Sequence, residues 1–420
     1  MNAAALDARR AIEALRAGVP NRAAIRLLGT NNNRIAQDFL ARLRLCGAAL
    51  SDRGQVDGIV INGGFGTGKS HQLGYLGELA QQDNFIVSLV PISKETPLFD
   101  PARLFAAAIR AAFVPDANDD VMTAVMNRLH PNSERYDALE AWTTGEVAEG
   151  RLSALFAALL YLIPRRQTDP GDLARIARFF AGAKLNIGVV KSWLREAGAT
   201  RLFPFARVRE ADLAVQRLRF APRLFVAGGY SGWCVLLDEV ELIGRYTPLQ
   251  RGRSYAELVR WLGSDREFCL PGVVTVAAVT DDFADQMFDR KRDDELVPPR
   301  LEQRGLSQGA AMARIGIARL RQQEYTLSPP DESSLRRSLD RIGGLYRDAY
   351  GWAPPDAEIG HREASRSMRQ YVKSWITGWD IERLYGETAQ IKAGTIPSDY
   401  SESDDIERAP IAGEDDYGAG

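Results

Sequence analysis

Asp57-Gly58-Ile59-Val60-Ile61-Asn62-Gly63-Gly64-Phe65-Gly66-Thr67-Gly68-Lys69-Ser70 is the stretch that decides the fold. Its apolar, β-branched run through Asn62 predicts a short buried strand. The glycines that follow predict a tight loop, and a helix is expected from Lys69. Such a loop lets backbone N–H groups converge on an anion, and the helix N-terminus adds its positive end. The spacing is GxxxxGKS: Lys69 is placed to reach the β and γ phosphates of a nucleotide, and Ser70 offers a hydroxyl to Mg²⁺. Gly63, Gly64, Phe65, Gly66, Thr67, Gly68, Lys69 and Ser70 are therefore the candidate phosphate-binding residues. An ordinary glycine turn is the competing reading, and the strand before and helix after argue against it.

Working outward, Cys234-Val235-Leu236-Leu237-Asp238-Glu239 is an apolar run ending in two carboxylates. Asp238 suits a Mg²⁺ shell, and Glu239 suits a general base that deprotonates an attacking water. A strand running into a helix cap looks the same in isolation; beside the glycine loop the pair reads as catalytic. The absence of Asn-Lys-x-Asp favours ATP over GTP. Val273–Thr280 is another apolar strand. Its polar end, Thr280, falls where open α/β sheets bind ligands and is a candidate sensor of the γ-phosphate or the lytic water. Arg300 and Arg304 are candidate arginine fingers for a neighbouring subunit, with a surface salt bridge as the other reading. Arg362 and Arg366 are candidate lid residues that clamp ATP, or else an exposed helix face.

Between these motifs strands alternate with helices, which implies a doubly wound parallel sheet. Strands are expected at 57–62, 85–92, 233–237 and 272–280, with 314–320 as a fifth candidate. A helix is expected from Pro101 to Phe113, and residues 115–228 form a large helical insertion. A C-terminal lid of two helices is expected over 331–350 and 361–377. The division is 1–50 as an N-terminal helical segment, 51–325 as the core, 326–396 as the lid and 397–420 as an acidic tail.

Hydrophobic residues make up 45% of the 420 and charged residues 26%, ordinary for a globular chain. No apolar run approaches the ~20 residues of a membrane span, and Met1 to Asp7 lacks the features of a secretory signal. A cytoplasmic protein is expected. Cys46, Cys234 and Cys269 form no CxxC pair and read as reduced buried thiols. The three histidines have no metal-site spacing. Net charge is −2, but Asp399 to Gly420 carries eight acidic residues and one basic. That tail is expected to be disordered, as a solubilising terminus or as a DNA mimic or docking peptide. The N-terminal arginines, Arg9 through Arg44, are either a nucleic-acid face or solvated helix surface.

Together these residues resemble the ASCE/AAA+-type P-loop NTPases, and within them the ATP-binding proteins of bacterial BREX phage-defence systems, the BrxD branch in particular. The resemblance rests on the opening Ala11 to Arg22, on Gly229-Tyr230-Ser231-Gly232-Trp233 leading into Asp238-Glu239-Val240-Glu241, on the Thr280 and Arg300–Arg304 stretch, and on Arg362-Glu363 with Trp379-Asp380. It covers about residues 8–385. Thr280-Asp281-Asp282-Phe283 departs from the Thr-Pro-Glu-Phe common among relatives. The resemblance implies an antiviral ATPase using ATP and Mg²⁺ and working with other defence proteins, a helicase partner among them. It also implies contact with DNA and an ATP-dependent homo-oligomer. A nucleotide-gated scaffold with little turnover, and a DNA-processing loader outside defence, are the alternatives.

Overall fold

The computed structural model describes residues 3–18, 22–48, 55–115, 120–166, 169–264, 270–327, 331–355 and 368–386. The chain opens with helices α1 (Ala3–Ala17), α2 (Arg22–Leu28) and α3 (Asn33–Ala48), then β1 (Ile59–Gly63), α4 (Lys69–Gln82), β2 (Phe85–Pro91), α5 (Pro101–Arg110) and β3 (Ala112–Phe113). A helical stretch follows: α6 (Val121–Arg128), α7 (Glu134–Ala148), α8 (Ala154–Leu162), α9 (Pro170–Phe180), α10 (Ile187–Glu196) and α11 (Glu210–Ala227). The chain returns to the sheet with β4 (Gly232–Asp238), α12 (Pro248–Leu262) and β5 (Val273–Val279), and continues through α13 (Asp293–Gln303), α14 (Ser307–Arg321) and β6 (Tyr325–Leu327). The last described elements are α15 (Glu332–Tyr350) and α16 (Met368–Tyr385). The protein is mixed α/β, mostly helical, around one six-stranded sheet.

The strand order is β3-β2-β4-β5-β1-β6, with β3 antiparallel to β2 and every other pairing parallel. Successive side chains of a strand point to opposite faces, and here both faces are apolar. Val60, Ile86, Val235, Leu237 and Ala277 enter one core with α5, α12 and the helical insertion. Ile59, Ile61, Val87, Leu236 and Val276 enter a second core with α3 and α4. A third core joins α1 and α2 to α15 and α16. Trp233, fully buried, keeps its indole N–H satisfied by the Ser88 hydroxyl at 2.8 Å.

Two expectations are corrected. Residues 314–320 are helical, inside α14, and not a strand. Ala310, Ala313, Ile317 and Leu320 are buried at helical spacing, and Gly316 lets α14 lie directly on α12: a Cβ there would stand 2.2 Å from the Tyr255 carbonyl oxygen. The sixth strand is instead Tyr325–Leu327. The helix expected through Phe113 stops at Arg110, because Ala112 and Phe113 pair with Ser88 and Val87.

The N-terminal arginines are largely committed within the fold. Arg16 makes a bidentate pair with Asp380 at 2.9 and 3.0 Å, so two segments of the family resemblance, the opening and the lid, clasp each other. Arg22 and Arg26 both pair with the buried Glu78 of α4. Arg42 pairs with Glu324 at 2.9 Å. Cys46 and Cys234 are buried free thiols, and burial pushes the Cys46 thiol up to about 12. Arg362, Arg366, Cys269, His361 and the acidic tail lie outside the described residues. No described helix is long and apolar enough to cross a membrane, and no group of potential metal ligands clusters among the described residues.

Candidate functional site

The site is built on the ends of three adjacent strands. β5 lies between β1 and β4, so the loop after β1, the carboxylates after β4 and Thr280 after β5 face one cleft at the strands' C-terminal ends. Gly66 and Gly68 hold φ of 78° and 104°. Side chains rarely adopt that region, and Gly68 there caps α4. Lys69, the first helical residue, is 8% exposed. Its ammonium donates to the carbonyls of Gly63 at 2.6 Å and Gly64 at 3.2 Å. The Thr67 hydroxyl donates to the Gly64 carbonyl at 2.9 Å and braces the turn.

Asp238 is half-buried and accepts from the Glu239 backbone N–H at 3.0 Å. Glu239 is exposed and sits in the left-handed region, φ 57° and ψ 35°, although it is not glycine. Partial desolvation of its carboxyl and the neighbouring Asp238 charge raise its pKa, while Lys69 and Arg245 pull it down. Glu241 is more strongly affected. Burial pushes its carboxyl up to about 7 against the pull of Lys69, and its Oε2 is a buried oxygen without a hydrogen-bond partner. Thr280 is buried.

These groups line one cavity of about 520 Å³. Phe65 through Gln72 form its floor, Asp238, Glu239, Glu241 and Thr280 one wall, and α1, α2, α15 and α16 its cover, with Leu15, Leu28, Ile342 and Val372 as apolar lining. The cover is tied to the floor. His71 Nε2 meets the Gly29 carbonyl at 2.7 Å, and Gln72 Oε1 accepts from the Thr30 hydroxyl at 2.5 Å. Gln72 is 1% exposed, and its amide nitrogen has no partner. Lys69, a helix N-terminus, three carboxylates, unpartnered buried polar atoms and apolar side chains together fit a polyanion bearing a flat, partly apolar group and carried with a cation.

Arg300 and Arg304 lie on and just after α13, exposed, and do not line this cavity. Arg341 and Arg369 do line it. Arg341 donates to the Leu28 carbonyl, and the Arg369 guanidinium stands 5.9 Å from the centre of the Phe65 ring. Neither was singled out from sequence; Arg369 lies three positions beyond Arg366, a helical step that could have extended the lid reading to it. Leu15, Leu28 and Gln72 were also missed, since only the folded chain brings the N-terminal helices over α4.

The loop, Lys69, Ser70 and the N-terminal half of the cover all fall within the first 129 residues. No curated protein and no solved structure matches the chain. A family model described as BREX system ATP-binding protein BrxC/D matches residues 4–129, and over that stretch the chain is similar to this family of ATP-binding proteins.

Proposed function

We propose that this protein is a Mg²⁺-dependent ATPase of the AAA+/ASCE P-loop type, acting in a BREX-type phage-defence assembly with other components of that system and remodelling a DNA–protein complex. The family match covers BrxC and BrxD together, and the BrxD branch is read from the sequence resemblance alone. A cytoplasmic location accords with this role. The single observation that carries the reading is that loop residues 65–70, Asp238-Glu239 and Thr280 line one cavity whose floor is the first turn of α4.

In this reading the loop N–H groups and Lys69 hold the β and γ phosphates, exchanging the ammonium's bonds to Gly63 and Gly64 for phosphate oxygens. Ser70 and Asp238 are the residues that would hold Mg²⁺, which would neutralise phosphate charge as the bond breaks. Glu239 takes a proton from water as the water oxygen bonds to the γ phosphorus and the β–γ bridge breaks, releasing ADP and phosphate. Thr280 orients that water or the γ-phosphate. Arg369 and Arg341 are the described arginines on the cover; Arg362 and Arg366, outside the described residues, keep their lid role in this reading, and Arg300 or Arg304 serves a neighbouring subunit's site.

Glu239→Gln tests the reading. It keeps shape and leaves Asp238 in place, so ATP should bind as to the wild type while hydrolysis falls roughly 10²-fold or more. Wild-type turnover in Glu239→Gln would move the base to Glu241. A wild type that binds ATP without turnover would make the protein a nucleotide-gated switch.

A further inference from the structure

Residues 163–209 carry ten Lys and Arg against three Asp and Glu, a net of +7 in a chain whose total is −2. No residue of this segment lines the nucleotide cavity. It begins at the end of α8, contains α9 and α10, and runs up to α11. α9 packs against α6 and α10 against α8. Arg166 ties the two helices by pairing with Asp172 near the start of α9, at 3.6 Å, and with Glu196 at the end of α10. Two of the three acids are thereby used within the segment, and Arg209 is paired with Asp212 just beyond it; the rest of the segment's net charge is positive.

The inward and outward sides of this unit are sharply different. Ile176, Phe179 and Phe180 of α9 and Val190, Trp193 and Leu194 of α10 are buried in the main core. Arg178 on α9, Lys191 and Arg195 on α10, and Arg201 beyond it are all exposed. Arg178 bonds only as far as its own helix, to the Ala174 carbonyl. Holding so much like charge together is unfavourable for a free surface, by self-repulsion, and a polyanion relieves it.

We propose that the outward sides of α9 and α10 and the irregular run after them form a docking surface for double-helical nucleic acid, held through its phosphates. The double helix is favoured over a single strand by the chemistry of the outward side. Single-strand sites stack bases on exposed aromatic rings. Here Phe179, Phe180 and Trp193 are all buried, and Phe203 and Phe205 are half-buried against the core. What faces outward is charge, which suits sequence-independent contact with a backbone. This inference names the surface that the DNA part of the proposed function requires and rests on that part alone; it is independent of the nucleotide site.

The test is a titration of the full chain against a fluorescent DNA duplex of about two helical turns and a single strand of the same length, over a series of salt concentrations. ATP binding is measured beside it. The wild type should bind the duplex more tightly than the single strand, with log K falling linearly in log salt. The variant R178E/K191E/R195E/R201E should bind duplex at least about tenfold more weakly, with a slope reduced by about 0.9 for each phosphate no longer neutralised. Its ATP affinity should be unchanged. If ATP binding shows that four reversals disturb the fold, the milder K191Q/R195Q pair decides, and its slope should fall by up to about two. A wild type without salt-dependent duplex binding overturns the proposal, as it would if the positive face served an acidic protein. Preference for the single strand also overturns it, as do wild-type affinity and slope in a folded variant. Failure of the wild type to bind ATP would instead overturn the nucleotide reading.

Discussion

Glu239 holds φ 57° without being glycine, at the point where β4 gives way to a turn of 3-10 helix, Val240–Arg245. A left-handed conformation costs a non-glycine residue on the order of 1 kcal/mol or more, and such positions concentrate at functional sites. Two residues on, Glu241 makes a prediction that needs no ligand. Its folded pKa is about 7 against an ordinary value of 4.5. The folded state therefore binds the proton more tightly than the unfolded one. Stability from this group is fully present below pH 4.5, declines as pH rises through the folded pKa, and is flat above it; the whole step is on the order of 3 kcal/mol. Urea unfolding of the ligand-free wild type and Glu241→Gln at pH 5 and pH 8 checks this. The wild type should lose more stability than the variant between those values. Parallel curves would show that Glu241 titrates normally.

At the scale of elements, α12 and α13 are joined by a buried ion pair. Arg251, 4% exposed, donates from Nε and Nη2 to Asp293, 1% exposed, at 2.8 and 2.9 Å. The Tyr255 hydroxyl adds a third bond to the same carboxylate at 2.7 Å. Arg251 also donates to the Tyr246 carbonyl at 2.7 Å, and Lys291 to the Gly244 carbonyl at 3.0 Å. The helix bearing Arg300 is thus fastened to the segment that follows Asp238 and Glu239. Asp293→Ala should destabilise the fold by about 3–5 kcal/mol by stranding Arg251, and Arg251→Met with Asp293→Leu by much less. Denaturant midpoints of the two variants decide it; equal losses would mean that packing, and not the stranded charge, sets the cost. None of this pair was legible in sequence, because its partners lie 42 positions apart. Strands β1, β2, β4 and β5 were legible, since each is a mostly apolar run. Helix α14 was misread in part because 314–320 alone is too short to tell a helical period from an apolar run. Its full length, with Ala310 and Ala313 included, shows the period.

At the scale of the whole molecule, the N-terminal helices and the α15–α16 pair close over α4 as one apolar cluster, which the linear order of motifs does not convey. The glycine loop and the Asp238-Glu239 pair were readable because their chemistry is carried by neighbouring residues. The cover was not, because Leu15, Arg341 and Arg369 meet over the loop only after folding. Assembly is argued at this scale too. If Arg300 or Arg304 completes a neighbour's site, an Arg300→Ala, Arg304→Ala chain mixed with Lys69→Ala should recover part of the hydrolysis that each lacks. ATP should also drive Glu239→Gln into oligomers measurable by light scattering. A monomer in every nucleotide state, with no recovery on mixing, would place the arginine function within one chain, at Arg369 or Arg341. The most direct test of the central claim is calorimetric titration of the wild type and Lys69→Ala with Mg·ATP, with circular dichroism to show that both are folded. Saturable binding by the wild type and its collapse in the folded Lys69→Ala are the predicted results; equal ATP affinity in the two proteins would contradict the assignment of loop 63–70 as the phosphate site.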